Sequence, residues 1–126
     1  MIKLISFGFR LHDHPPCDHT FDLRLIQNPY CDPQLRGLCG MDKAVQQSVL
    51  SSKHTISTID RIMTVINSEF IFRRDFTIGL MCTGGVHRSV AIAEIVAARQ
   101  RMLGREVEVI HRDLDKWFQR HSKKPL

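Results

Sequence analysis

"DFTIGLMCTGGVHRSVAIAEIVAARQ", residues Asp75 to Gln100, is the stretch that decides the fold. Its opening, Asp75 to Cys82, is apolar on both alternating sets of positions, the pattern of a strand buried on both faces. Gly84 and Gly85 break the run. From Arg88 onward the period becomes helical: Ala91 pairs with Ile95 and Ile92 with Val96, the stripe reaches Met102 and Leu103, and Gly104 is the expected stop. A buried strand turning through glycines into a helix is the unit of an α/β domain with a parallel sheet.

The flanking sequence extends that unit. "KLISFGF" (Lys3 to Phe9) reads as a short buried strand, and "TFDLRLI" (Thr20 to Ile26) and "EVEVI" (Glu106 to Ile110) read as alternating ones. "RLHDHPPCDH" is irregular around Pro15 and Pro16, and "QNPYCDPQLRGLCGMD" is a long loop. Asp42 is a candidate cap for a helix through Ala44, Val45, Val49 and Leu50. A further helix carries Ile56, Ile59, Ile62, Met63, Ile66 and Phe70 on one stripe, and "DLDKWFQRH" can form a terminal helix. The predicted architecture is one α/β domain over residues 1–126, with a mostly parallel central sheet, helices packed against it, and a strand–loop–helix anion site.

Length and composition agree. The chain has 126 residues, 43% of them hydrophobic, enough for one domain with its own core. No stretch approaches the roughly 18 consecutive apolar residues of a membrane span, so no membrane partner is expected. The N-terminus lacks a small-residue cleavage site, which makes a cytoplasmic protein the expectation. The four cysteines, Cys17, Cys31, Cys39 and Cys82, form no disulfide framework and are expected to be reduced. The net charge of +5 is uneven, because residues 99–126 hold eight Lys or Arg against four Asp or Glu. That basic end, densest in the tail of about residues 116–126, suits a polyanion such as RNA and equally suits a solvated terminus.

The turn from Cys82 to Ser89 is the chemical centre of the sequence. A helix N-terminus presents backbone N–H groups without intrahelical partners, and the helix dipole adds positive potential there. Gly84 and Gly85 let the backbone curl around a guest, Arg88 brings a guanidinium fork, and Thr83 and Ser89 bring hydroxyls. Together they describe an anion site for which phosphate is the natural guest. The spacing Cys82–five residues–Arg88–Ser89 also matches the loop of cysteine-dependent phosphatases, where a thiolate attacks phosphorus. That reaction needs an acid for the leaving group, for which Asp13, Asp18, Asp22 and Asp32 are candidates. No G-x-x-x-x-G-K-[ST] occurs, so nucleotide hydrolysis is unsupported. "HDHPPCDH" offers His12, His14, Cys17 and His19 at no familiar zinc spacing, and neither a metal nor a cofactor is predicted.

"ISFGFR", "FDLRLIQNPYCDPQLRGLCGMDKAV", "CTGGVHRSVAIAE" and "HRDLDK" occur in that order and cover nearly the whole chain. In this they resemble the C-terminal domain of the RapZ family of bacterial RNase adapter proteins, whose relatives include the YvcJ-type proteins. Full-length members carry an N-terminal kinase-like half with a nucleotide P-loop. That half is not in this sequence, which therefore reads as a free-standing version of the domain or a piece cut to it. The resemblance implies a regulatory role rather than catalysis. It implies binding of a phosphosugar, glucosamine-6-phosphate, together with RNA that is handed to an endoribonuclease, and assembly into homo-oligomers. The implied phosphate position is on the N–H groups of Thr83, Gly84, Gly85, Val86 and His87, with Arg88 paired to it and Cys82 and Ser89 flanking.

Other residues are candidates for the same pocket. Arg10 and His12 follow the first strand, and strand ends gather at ligand sites in α/β sheets. Asp22 and Arg24, at alternating positions, either hold a sugar and its phosphate or pair with each other. His87 is placed to donate to an anion or to brace the loop, and His111 and Arg112 end the last strand on the expected side of Arg88. The chain departs from the family pattern at Arg10–Leu11–His12, where a Lys followed by His is common, and at Tyr30, where a His can stand. Both departures bear on which sugar is held. For RNA, the phosphate contacts are assigned to Arg112, Lys116, Arg120, Lys123 and Lys124, with Trp117 or Phe118 available to stack on a base.

Overall fold

The computed structural model describes residues 1–10 and 13–120. In chain order the elements are β1 (Ile2–Gly8), β2 (His19–Asp22), a 3-10 turn (Pro29–Cys31), α1 (Lys43–Leu50), α2 (Thr55–Phe72), β3 (Phe76–Cys82), α3 (Arg88–Met102), β4 (Val107–His111) and α4 (Leu114–Arg120). The strands form one sheet in the order β2-β3-β1-β4, and every pair runs parallel. The expected α/β domain with a parallel sheet is therefore the fold.

Connection geometry explains why the helices share a face. The links β2 to β3 (through α1 and α2) and β3 to β4 (through α3) both step the same way across the sheet. Right-handed crossovers then put all three helices on the same side. Ile2 and Leu4 of β1 and Ile78 and Leu80 of β3 accordingly pack in one core with Val45, Val49, Ile59, Ile62, Ile66 and the Ala91–Ala97 face of α3. The link from β1 to β2 steps the other way, so it returns across the opposite face. His14 lies 5.2 Å from Phe7, ring to ring, and the Asp18 N–H donates to the Thr77 carbonyl at 2.9 Å.

Several boundaries differ from the sequence expectation, each for a physical reason. The second strand ends at Asp22 rather than Ile26. Leu23 and Ile26 are three apart, so an extended strand would point them to opposite faces. Both are buried in the core, and a turn closed by the Ile26 N–H on the Leu23 carbonyl brings them to the same side. Ile56 is 68% exposed although it was expected on the buried stripe. It lies about 100° round the helix from Thr55, whereas Ile59, Ile62 and Ile66 stay on the inward side. Met102 and Leu103 lie past the last buried turn of α3 and are exposed. Gly104, at φ 81°, ends that helix: its N–H reaches the Arg101 carbonyl, and the Arg105 N–H reaches that of Gln100. Asp42 does occupy the cap position of α1, but its carboxylate accepts from the Cys39 N–H instead of from the helix.

Glu69 pins the end of α2 to the edge strand. It accepts from Arg73 (2.9 Å) and lies against His19 of β2, while Arg73 also reaches Asp18. The hydrogen bonds from Arg73, then His19, hold the Glu69 carboxyl at about 2, below its ordinary value. A depressed carboxyl adds stability that is complete above its unfolded value and fades as pH falls through the folded one. Urea unfolding of the Glu69→Gln variant should therefore lose less stability than the unaltered chain between about pH 4.5 and pH 2. Identical acid profiles would show that this cluster adds nothing.

Candidate functional site

The register of the sheet brings the chemistry together. Gly8, the last residue of β1, pairs with Cys82, the last of β3. Beyond them the chain must pass very close to itself. Gly85 has φ 74°, and a Cβ there would stand 2.6 Å from the Gly8 nitrogen; a Cβ on Gly8 would stand 2.7 Å from the Gly84 carbonyl carbon. Neither position can hold a side chain without moving backbone.

Three loop carbonyls are tied to neighbouring segments: Cys82 to the Phe9 N–H, Thr83 to the Arg10 N–H and Val86 to the Gly40 N–H. In a trans peptide unit the C=O and N–H point in opposite directions. The N–H groups of Thr83, Gly84 and His87, which share those units, therefore face away from the strands that bind the carbonyls. On that side lies a cleft of about 680 Å³, lined among others by Thr83, Gly84, Val86 and His87. The N-terminus of α3 opens on the same place, with the Ser89 N–H of its first turn already bonded to the Cys82 thiol.

Arg88 is built into the protein more deeply than its motif suggests. It is 4% exposed. Its Nη1 donates to the carbonyls of Arg24 (3.1 Å) and Ile26 (3.0 Å), and Nη2 donates to the Thr83 hydroxyl (3.2 Å). It thus staples the turn after β2 to the loop. Its Nε, although buried, has no partner among the described residues, and the residue still borders the cleft. Cys82 is 2% exposed; its thiol donates to the Ser89 hydroxyl and accepts from the Ser89 N–H. Ser89 is fully buried, behind the loop rather than on the cleft wall.

The rest of the wall comes from segments far apart in the chain. Arg10 follows β1, Asn28 and Tyr30 come from the long loop, and Asp113, Lys116, Trp117 and Arg120 come from the start and one side of α4. Asn28 caps the 3-10 turn by accepting from the Tyr30 N–H. Arg36 stacks on the Tyr30 ring and donates to its carbonyl, so it braces that wall from behind. Asp113 was missed as a site residue. Its Oδ2 accepts from the Gly8 N–H (2.7 Å), and both oxygens accept from Arg112. The signal available was its position directly after the last strand, where α/β ligand sites form.

Other sequence candidates are placed elsewhere. Asp22 and Arg24 form an exposed pair at 2.7 Å, with Arg24 stacked 4.1 Å over Phe9; neither lines the cleft. The Arg24 hydrogen bond holds the Asp22 carboxyl below its ordinary value. His111 is clamped between Ser6 and Glu94 on the helix-covered side, not beside Arg88. The reason is register: His111 is the β4 partner of Ser6, whose side chain faces α3. Arg112, expected on RNA, is held inward by Asp113, the Asp13 carbonyl and the Phe7 ring. None of Asp13, Asp18, Asp22 or Asp32 lines the cleft. His12, Lys123 and Lys124 lie outside the described residues.

A model of the RapZ C-terminal domain matches residues 1–115. A protein of Rubrobacter xylanophilus carrying the name nucleotide-binding protein is 42% identical over 126 residues, covering 90% of this chain and 40% of its own length. Proteins of the same name from Trichlorobacter lovleyi and Corynebacterium aurimucosum are 36% and 39% identical, over 91% and 90% of this chain and 42% and 41% of theirs. The chain thus spans about two fifths of the length of the curated relatives it matches.

Arg88 should prove structural even with nothing bound. Replacing it with Ala leaves two carbonyls without their donor, a loss of about 1–3 kcal/mol. Arg88→Lys should recover only part of this, because an ammonium cannot reproduce the fork. Thermal unfolding by circular dichroism checks both variants, and a ligand-free Tm equal to that of the unaltered chain would refute the staple.

Proposed function

Because the chain belongs to the RapZ C-terminal domain family, we propose that it is a regulatory binding domain for a phosphosugar, glucosamine-6-phosphate, and for RNA. One observation carries the reading: peptide N–H groups of the loop face a cleft beside a helix N-terminus and a buried guanidinium nitrogen without a partner among the described residues. These are donors at fixed positions, suited to a doubly negative group. The phosphate would rest on the amides of residues 83–87, with Arg88 Nε as the charged donor. The sugar would extend toward Tyr30 and Trp117. RNA would be held through Lys116 and Arg120 of α4, with Lys123 and Lys124 further along the chain, and passed to an endoribonuclease. Self-association belongs to the same proposal.

Binding is favoured over phosphatase chemistry by one detail. The carboxylate on the cleft wall, Asp113, is occupied as an acceptor by Gly8 and Arg112. A thiolate nucleophile and a proton donor are what that reaction requires.

Gly84 provides a clean test, because a Cβ there meets nothing within 4 Å and the position borders the cleft. Glucosamine-6-phosphate should raise the Tm of the unaltered chain by mass action, by the equivalent of about 2.7 kcal/mol at a hundredfold excess over Kd. Gly84→Asp places a carboxylate where the phosphate would sit. Its ligand-free Tm should stay within about 2 °C, a surface-type effect, and the ligand-induced rise should vanish. A rise that survives in Gly84→Asp puts the phosphate elsewhere.

For RNA, Lys116→Ala should weaken binding alike across sequences and reduce the slope of log K against log salt by about 1. An unchanged slope in a filter-binding titration would remove α4 from the RNA surface.

A further inference from the structure

The cations around the cleft fall into two groups. Arg88 is buried and spent largely on carbonyls. Arg10, Lys116 and Arg120 are exposed, and their side chains make no ion pair or hydrogen bond with any described residue. Arg24, Arg73 and Arg112, by contrast, each have a carboxylate of their own. Lys116 and Arg120 are four apart and so share one side of α4. Arg10 arrives from the end of β1, positioned by its N–H on the Thr83 carbonyl. Three positive groups from two separate elements therefore border one cleft of about 680 Å³, together with Trp117. Asp113 does not balance them, since its oxygens are taken up by Gly8 and Arg112. Like charges collected around a concave wall raise a positive potential that an anionic guest relieves.

Resting on the phosphosugar reading, we propose that the cleft holds a second anion subsite, formed by Arg10, Lys116 and Arg120. The ligand class is then a small metabolite with two anionic groups separated by a ring, such as a sugar bisphosphate. One phosphate occupies the loop amides, the ring crosses toward Trp117, and the second phosphate meets the three cations. A hexose monophosphate fills the first subsite and leaves the second to water and counter-ions.

Isothermal titration of the full chain, without RNA and at one fixed near-physiological ionic strength, compares glucosamine 6-phosphate with glucosamine 1,6-bisphosphate. The bisphosphate should bind about tenfold tighter or more, the return expected from one added charge-assisted hydrogen bond. In the double variant Lys116→Ala/Arg120→Ala the two Kd values should converge. Equal Kd values in the unaltered chain would overturn the second subsite and leave the single-phosphate reading standing. An advantage that persists in the double variant would overturn it as well. Binding of neither sugar would overturn the subsite and the phosphosugar reading together.

Discussion

Backbone touches backbone where Gly8 meets Gly84 and Gly85, and the site depends on that contact. A Cβ at position 8 or 85 would fall 2.6–2.7 Å from main-chain atoms of the other segment. With both side chains absent, the end of β1 can lie flat beneath the turn after β3. The Gly8 N–H is then free to reach the Asp113 carboxylate, which also fixes Arg112 and the start of α4. Three chain segments from opposite ends of the sequence are thereby held in one place. The orientation of the loop amides, the mouth of α3 and the cationic side of α4 all follow from it.

The elements with strong periodicity could be read from the sequence because their burial is simple. β3 is covered on both faces and its residues are apolar apart from Thr77, so Phe76 to Cys82 could be identified directly. The glycine turn and α3 followed from the change in period at Arg88. The end of β2 could not be read that way, since Leu23 and Ile26 reach the same core only through a turn that alternation does not encode. Nor could the partners of charged groups. Arg88 stands next to the loop in sequence, but its hydrogen-bond acceptors are the carbonyls of Arg24 and Ile26, which no motif specifies. His111 and Arg112 were expected on the ligand side. Strand alternation and a neighbouring Asp turned one toward Glu94 and the other onto Asp113. The wall formed by Asp113 and α4 depends on tertiary proximity alone.

The placement of Arg88 also alters how its motif is understood. In this chain the guanidinium acts first as a bridge between the turn after β2 and the loop, and its Nε–H and one Nη2–H remain for a guest. A residue used in this way links the occupancy of the site to the rigidity of the segment from Leu23 to Ile26. That segment carries Arg24, which stacks on Phe9 beside the cleft residue Arg10. At the cleft, the positive charge that faces solvent comes mostly from Arg10, Lys116 and Arg120, outside the C-x5-R motif.

The strand order has a consequence for assembly of the native state during synthesis. β1 emerges first, yet it lies in the middle of the sheet, with Phe76 opposite Ile2 on one flank and Val107 opposite Ile2 on the other. Neither neighbour exists until most of the domain has left the ribosome. This inner strand thus spends translation as an unpaired hydrophobic segment, and loops of this length must close before any pairing energy is gained. Folding of this domain is in that sense an all-at-the-end event. Until then, shielding of Ile2, Leu4 and Phe7 falls to whatever meets the nascent chain.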